Sequence, residues 1–118
     1  SWGLRGRNPE GDYAAYMYEL MTKANALMNQ VWIMHADLVG PSVRSKRTYY
    51  GHSRIVDPMG RVVVDTGHKE GLASATVDLQ GESARSRSPE FVMRDLLQTR
   101  RPETYHALYA KATQETQL

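Results

Sequence analysis

Two strand-forming runs joined by a turn are the feature that most constrains the fold of this chain. Residues 50–64 read Tyr-Gly-His-Ser-Arg-Ile-Val-Asp-Pro-Met-Gly-Arg-Val-Val-Val. The runs at 55–56 and 62–64 are β-branched, as is typical of strands. Between them, Pro58 presets one turn dihedral angle and Gly60 permits a positive φ. The pattern therefore predicts an antiparallel β-hairpin with a turn at residues 57–60.

The segment before the hairpin has the period of an amphipathic helix. Asp12 can serve as the N-cap, and apolar side chains then recur every three or four residues. The members of this stripe are Tyr13, Tyr16, Met17, Leu20, Ala24, Leu27 and Met28. We expect the stripe to pack on a sheet rather than to hold a cofactor.

The remaining elements follow from changes of period along the chain. Residues 31–36 are almost continuously apolar, which predicts a strand buried on both faces. Residues 72–79 alternate, which predicts a third strand beside the hairpin. Ser88-Pro89-Glu90 is typical of a helix start and predicts a helix up to residue 98, and a last helical pattern runs through residues 102–118. Residues 1–12 and 42–48 have the composition of loops.

Composition narrows the possible classes of function. The chain has 118 residues, the size of one small domain, and no internal repeat or linker predicts a boundary within it. A formal net charge of +2 argues against nucleic acid as a partner, and no apolar run is long enough for a membrane span. The chain contains no Cys, which excludes disulfides and is compatible with a cytoplasmic location.

Four blocks in a fixed order resemble the carbon-nitrogen hydrolase (nitrilase) family. The hairpin motif Gly-x-Ser-x-Ile-Val-Asp-Pro-x-Gly-x-Val, at residues 51–62, is similar to that family's hairpin. Upstream, residues 25–32 resemble a helix end that runs into a strand, with Met28 where the family has Glu, and residues 36–40 resemble its Ala-Asn-x-x-Gly. Downstream, the similar segments are residues 70–71 with 75–79, and residues 100–105.

The resemblance implies a fold and a partner. It implies an α/β fold in which residues 1–118 form the C-terminal part of a single domain, an α-β-β-α four-layer sandwich. Half a sandwich leaves an apolar sheet face open to water, so we expect it to need the missing N-terminal portion or a partner chain. The layers of neighbouring subunits often stack in this family, which implies a homo-oligomer through the helix layer and the tail from Arg100 onward.

The resemblance also implies a chemistry. Its members cleave non-peptide C–N bonds of small amide, carbamoyl or nitrile substrates, through a Cys nucleophile assisted by Glu and Lys, without a cofactor. Those residues precede the first matching block in the family, and none of the four Lys or seven Glu of this chain lies in a matching motif. We therefore expect a fragment that is inactive alone. Two alternatives stay open: an inactive nitrilase-like interaction or oligomerisation module, and a small complete α/β binding domain.

The candidate substrate-binding residues are Asp37, Trp2, Arg5 and Arg7. Asp37 replaces a strand-end Asn that lies near the substrate pocket in the family, where its carboxylate would accept hydrogen bonds from an amide or ammonium group. The alternative is that Asp37 caps the turn before Gly40. Trp2, Arg5 and Arg7 belong to the loop that follows the nucleophile region in the family, and Arg offers a fork for a substrate carboxylate.

Three other constellations are less favourable. A triad of His52, Ser53 and Asp57 is disfavoured because adjacent strand residues point to opposite faces. His35 and Asp37 share a strand face but lack a third metal ligand at suitable spacing, so we expect no metal site there. The basic runs at residues 44–47 and 85–88 lie in predicted loops without interleaved aromatic residues, which favours solvated surface over phosphate binding.

Overall fold

The computed structural model describes residues 3–4, 12–45, 47–90, 95–96 and 98–116. Its elements in chain order are β1 (Gly3–Leu4), α1 (Tyr13–Asn29), β2 (Ile33–His35), β3 (Thr48–Tyr49), β4 (Arg54–Val56), β5 (Val62–Asp65), α2 (Leu79–Ser86), a 3-10 turn (Pro102–Thr104) and α3 (His106–Thr116). The larger sheet has the order β2-β4-β5 and is antiparallel throughout, while β1 pairs with β3. Helix α1 lies on one face of the larger sheet.

The predicted hairpin is confirmed as β4 and β5. Arg54 pairs with Asp65 and Ile55 with Val64, and a register shift then pairs Val56 with Val62. In the turn, Asp57 Oδ1 accepts hydrogen bonds from two backbone N–H groups, those of Met59 and Arg61, both at 2.9 Å. The side chain of Asp57 therefore closes the turn locally, which is why the sequence pattern is sufficient to predict it.

Gly60 combines two requirements in one position. Its φ is +77°, a conformation that L side chains rarely adopt. A Cβ atom there would lie 3.1 Å from the carbonyl oxygen of Lys23 in α1. The turn thus approaches the helix closely, and glycine is the residue that allows both the backbone conformation and the approach.

Helix α1 begins where the sequence predicts, but it packs through a different face. Asp12 Oδ1 accepts a hydrogen bond from Ala14 N at 2.9 Å, as expected of an N-cap. The side chains buried against the sheet are Ala15, Tyr18, Thr22 and Ala26. The predicted stripe lies on the opposite side of the helix, where Tyr13 is 72% exposed and Tyr16 is 59% exposed. The prediction that this stripe packs on the sheet is wrong, because small side chains and Tyr18 provide the close-packed face instead.

Strand β2 is shorter and less buried than predicted. Met34 is 82% exposed, so residues 31–36 are not buried on both faces. The physical reason is that, within the described ranges, α1 covers one face of the sheet and no element covers the other. An open apolar sheet face is what the sequence led us to expect of half a sandwich.

The segment after the hairpin departs most from the sequence prediction. Residues 72–78 form no strand, and Leu79 begins α2. A strand needs a backbone partner as well as alternation, and none of the described strands pairs with this segment. Asp78 instead caps α2 by accepting a hydrogen bond from Gly81 N at 3.0 Å. Helix α2 includes Arg85 and Ser86, so the predicted loop at residues 85–88 is wrong in its first half.

The C-terminal elements are confirmed in part. The described residues of the predicted helix at 88–98 form turns or irregular structure, and residues 91–94 and 97 lie outside the description. The last predicted helix is present as the 3-10 turn followed by α3, and the described side chains of α3 are exposed.

Candidate functional site

Asp37 lies just beyond β2, at the edge of the larger sheet. Its backbone N–H donates to Ser53 Oγ at 2.9 Å, and the same hydroxyl donates to the carbonyl oxygen of Asp37 at 3.3 Å. Because β2 and β4 are antiparallel and His35 pairs with Arg54, Ser53 just before β4 lies beside the residues that follow β2. Ser53 thus fixes the backbone of the half-buried Asp37.

Beneath α1, a buried arginine joins two carboxylates. Arg54 is 4% exposed, and its two terminal nitrogens donate to the two oxygens of Glu19 at 2.8 and 2.7 Å. Arg54 Nη2 also lies 2.7 Å from Asp65 Oδ2, and the guanidinium carbon lies 4.8 Å from the centre of the Tyr18 ring. The bidentate fork and the second carboxylate together compensate the burial of this charge.

The same contacts shift the ionisation of the surrounding groups. Hydrogen bonds from Arg54 are the main cause that lowers the pKa of Glu19 to about 2, against the opposing effect of burial. Burial lowers the pKa of Arg54, but its hydrogen bonds with Glu19 and the nearby carboxylate charges outweigh burial and leave that pKa raised. Burial raises the pKa of Tyr18 to about 12, with the charge of Asp37 contributing in the same direction.

Tyr50 connects this network to a pair of histidines. Its hydroxyl donates to Glu19 Oε1 at 2.9 Å, and burial together with that hydrogen bond raises the pKa of Tyr50 to about 12. The Tyr50 ring stacks on His52 with 4.3 Å between ring centres. His52 Nδ1 lies 2.8 Å from Asp65 Oδ1, and His52 Nε2 lies 3.4 Å from His68 Nε2. Asp65 therefore contacts both Arg54 and His52.

The structure brings some of the predicted site residues together and separates others. Asp57 binds the backbone of its own turn and Arg61 Nε, and the carboxylate partner of His52 is Asp65, so the triad of His52, Ser53 and Asp57 does not form. His35 and Asp37 have no third ligand, since no group of three or more His, Asp or Glu residues in the described ranges is placed to hold a metal.

Two further predictions concern loops. Trp2, Arg5 and Arg7 lie outside the described residues, so their role stays a prediction. In the basic runs, Arg44, Arg47 and Arg85 are exposed, as expected of solvated surface, and Lys46 lies outside the described residues.

Sequence reasoning missed the network of Glu19, Arg54 and Asp65. One signal was available, since Arg54 and Val56 have the same parity in a strand and therefore face the same side of the sheet. Val56 is fully buried, so a charged residue on that side needs an opposite charge. The identity of the partner was not readable, because Glu19 lies 35 residues away on a different element.

The arrangement holds and orients groups but contains no thiol nucleophile. The carboxylate of Glu19 is held by Arg54, which favours its ionised form, and Asp65 forms a second ion pair with the same guanidinium. Asp37 presents an acceptor at the end of a strand, held by Ser53 through the backbone. The described geometry is therefore suited to binding and to structural support, and this chain contains no Cys that could act as the nucleophile in C–N bond cleavage.

Comparisons with known proteins give a consistent result. The family model described as carbon-nitrogen hydrolase matches residues 8–86. An omega-amidase of Xenopus laevis is 43% identical over 65 residues, which is 53% of this chain and 22% of the frog protein. A 2-oxoglutaramate amidase of Bacillus subtilis (strain 168) is 37% identical over 73 residues, 62% of this chain and 27% of the relative. A deaminated glutathione amidase of Bos taurus is 35% identical over 89 residues, 75% of this chain and 25% of the relative.

A solved structure supports the fold. A crystal structure of a carbon-nitrogen hydrolase from Helicobacter pylori G27 has a TM-score of 0.73 and 21% sequence identity, and the likeness covers 92% of this chain and 38% of that chain. The chain therefore spans between a fifth and two fifths of the proteins that it matches. With a family match over more than half of its length and this fold, the chain belongs to the carbon-nitrogen hydrolase family.

Proposed function

We propose that this chain is the C-terminal part of a carbon-nitrogen hydrolase that cleaves a small amide. The match of residues 8–86 to that family carries the proposal, and it is supported by relatives that are named as amidases. The chain itself contains no Cys, so the nucleophile belongs to a portion outside these residues. On its own, this chain is inactive.

The chain's part in the enzyme is to build one helix layer and one sheet layer. The sheet face opposite α1 exposes Met34, which is 82% exposed, and Leu72, which is 97% exposed, lies in the segment beside this face. A shallow cavity of about 180 Å³ lies on this face, lined in part by Ile55 and Val64. A second sheet that covers this apolar area removes it from water, which stabilises the domain by about 25 cal/mol for each Å² buried. The remaining portion of the domain is therefore the proposed partner of this face.

Asp37 is the proposed contact to the substrate. Its carboxylate accepts a hydrogen bond from the substrate amide, and Ser53 keeps the strand end in place through the Asp37 backbone. Arg5 and Arg7 bind a carboxylate elsewhere on the substrate, and Trp2 forms part of the pocket wall. This division suits a substrate that carries an amide at one end and a carboxylate at the other.

The reaction follows the chemistry of the family. The Cys thiolate attacks the amide carbon and a Lys stabilises the tetrahedral intermediate. The C–N bond then breaks as the protonated Glu donates its proton to the leaving nitrogen, which departs as ammonia. Water activated by Glu then hydrolyses the thioester and releases the acid and the thiolate. We place the enzyme in the cytoplasm. No helix of the described ranges is long and apolar enough to cross a membrane.

A homo-oligomer is the proposed assembly. The outer face of α1 exposes Tyr13, Tyr16 and Leu20, and α3 exposes Leu108 and Tyr109. An apolar helix face of this kind is suited to a second copy of the same layer.

The proposal is tested on the protein as purified from its source. We expect an intact mass well above 13.4 kDa and ammonia release from succinamate, with much less from butyramide, which has the same carbon number but no carboxylate. Alkylation of thiols should abolish the activity. In the same protein, Asp37→Ala should lower kcat/KM by about tenfold or more, as expected for a lost hydrogen bond of about 1.5 kcal/mol. An activity that is indifferent to thiol alkylation would contradict the mechanism.

The interaction module is the second candidate, and the extensive exposed apolar surface favours it. An intact mass equal to that of these residues alone, with no ammonia release, would favour that function over the hydrolase. The same exposed faces would then bind a partner chain rather than complete a catalytic domain.

A further inference from the structure

His52 and His68 lie beside each other at one end of the hairpin, and neither is among the predicted substrate-binding residues. His52 precedes β4 and His68 follows β5, so the hairpin brings both residues to the same end. The two Nε2 atoms are 3.4 Å apart, and the ring planes are nearly perpendicular at 86°. His68 is exposed, so the pair is reachable from solvent.

The other nitrogen of each ring is already engaged with an acceptor. His52 Nδ1 lies 2.8 Å from Asp65 Oδ1, and His68 Nδ1 lies 3.3 Å from the carbonyl oxygen of Tyr50. A carboxylate and a carbonyl oxygen can only accept, so each Nδ1 carries the hydrogen. In a neutral imidazole, the Nε2 atom then has a lone pair and no hydrogen. Two nitrogens with lone pairs and no hydrogen therefore lie side by side, and a cation bound to both would stabilise this arrangement.

The surroundings match those of metal-binding histidines. A histidine that binds a metal through one nitrogen usually donates its other N–H to a carboxylate or a backbone carbonyl. His52 has the first kind of partner and His68 has the second. Two nitrogens bound to one tetrahedral Zn²⁺ at about 2.0–2.1 Å lie about 3.3–3.4 Å apart. The separation in this protein is 3.4 Å, which lies within that range. The ring centres are 4.4 Å apart, so the exposed His68 ring would turn to aim its lone pair at a shared ion.

We propose that His52 and His68 form a two-histidine site for a divalent transition metal ion of the zinc type, with water completing the coordination. Imidazole nitrogen suits Zn²⁺, Cu²⁺ and Ni²⁺, whereas Mg²⁺ prefers oxygen ligands. The bound ion joins the loop before β4 to the loop after β5 and so closes the open end of the hairpin. This site does not depend on the proposed hydrolase function.

The test is calorimetric titration of the full chain with Zn²⁺ alone, near neutral pH. The chain offers a matched control in His106, an exposed histidine of α3 that is far away in sequence. We expect one Zn²⁺ per chain, affinity lowered by at least about tenfold in both His52→Asn and His68→Asn, no change in His106→Asn, and no heat with Mg²⁺.

His68→Asn is the decisive variant. Because His68 is exposed, the substitution leaves the fold intact, and a loss of Zn²⁺ binding then reports on the site itself. Zn²⁺ binding that is equally tight in His68→Asn and in the parent chain overturns the proposal. A loss confined to His106→Asn overturns it as well.

A second readout separates a metal from a shared proton. Long-range ¹H–¹⁵N spectra report each ring nitrogen, and Zn²⁺ should shift both Nε2 resonances while both Nδ1 atoms keep their hydrogens. A shift in one ring only, or spectra that change with pH but not with Zn²⁺, contradicts a shared ion.

Discussion

At the scale of single residues, Glu19 makes the stability of this protein dependent on pH. Its pKa in the folded chain is about 2, against 4.5 for an unperturbed glutamate, chiefly because Arg54 donates two hydrogen bonds to it. A group with a lowered pKa contributes stability that is complete above the unfolded value and is lost as pH falls through the folded value. The contribution of Glu19 should therefore fade between about 4.5 and about 2.

The prediction uses Glu19→Gln and urea unfolding across that pH range. Near neutral pH the variant should have a lower free energy of unfolding than the parent, because Gln cannot neutralise the buried Arg54. The difference between the two proteins should shrink as pH falls. Glu103→Gln is the control, since Glu103 forms an exposed ion pair with Arg101 and such pairs contribute about 0–1 kcal/mol. A difference that stays constant down to the acid limit would contradict the role of Glu19.

Local rules explain which single residues could be predicted. Asp12 and Asp57 cap backbone N–H groups within four residues of themselves, and Gly60 meets a local backbone demand, so their roles are readable from neighbours in the sequence. Arg54 and Glu19 are 35 residues apart, and their pairing depends on how α1 lies on the sheet. Nothing in the sequence around either residue specifies that pairing.

At the scale of elements, Gln30 holds the end of α1 to two later segments. Its own backbone is left-handed, with φ of +54°, and it ends the helix. Its Nε2 donates to the carbonyl oxygen of Ser86 at 3.1 Å, and its Oε1 accepts from Leu96 N at 2.8 Å. Gln30 is 1% exposed and Ser86 is 2% exposed, so removing the side chain would leave the Ser86 carbonyl without this hydrogen bond in a buried place, and the Leu96 amide would lose its acceptor.

We therefore predict that Gln30→Ala lowers the free energy of unfolding by about 1–3 kcal/mol, the usual cost of leaving buried polar groups without partners. Hydrogen exchange should become faster at the Leu96 amide, which loses its acceptor. Asn29→Ala is the matched control, because Asn29 makes an exposed hydrogen bond within the same helix turn. Unchanged exchange at Leu96 in Gln30→Ala would mean that the side chain does not hold that segment.

The elements also show where periodicity is insufficient. The hairpin was predictable because its turn and its strands are adjacent in sequence. Residues 72–78 alternate as a strand should, but none of the described strands pairs with them. In α1, the sequence predicted the helical period correctly but the wrong buried face. The helix buries Ala15, Tyr18, Thr22 and Ala26 rather than the apolar stripe. The helical period gives the spacing of the residues that share one face, but it does not say which face is buried.

At the scale of the whole molecule, α1 leaves apolar side chains on its outer surface, because it packs on the sheet through the opposite face. Tyr16 and Leu20 lie on this outer face, 59% and 49% exposed. The sheet face around Met34 is also open, so both sides of this two-layer unit have apolar area to cover. In the proposed enzyme, a second sheet covers the inner face and a second copy of the chain covers the outer face.

The last prediction separates these two surfaces. Leu20→Glu should dissociate the homo-oligomer, because it places a charge in an apolar contact where burial of Leu contributes about 1.5–3 kcal/mol. Each loss of about 1.4 kcal/mol weakens association about tenfold, so sedimentation velocity should show a smaller species at concentrations where the parent is associated. Val43→Glu is the control, since Val43 is fully exposed and lies in the loop before β3. Equal sedimentation of the parent and Leu20→Glu would show that the copies meet elsewhere, and a monomeric parent would contradict the assembly itself.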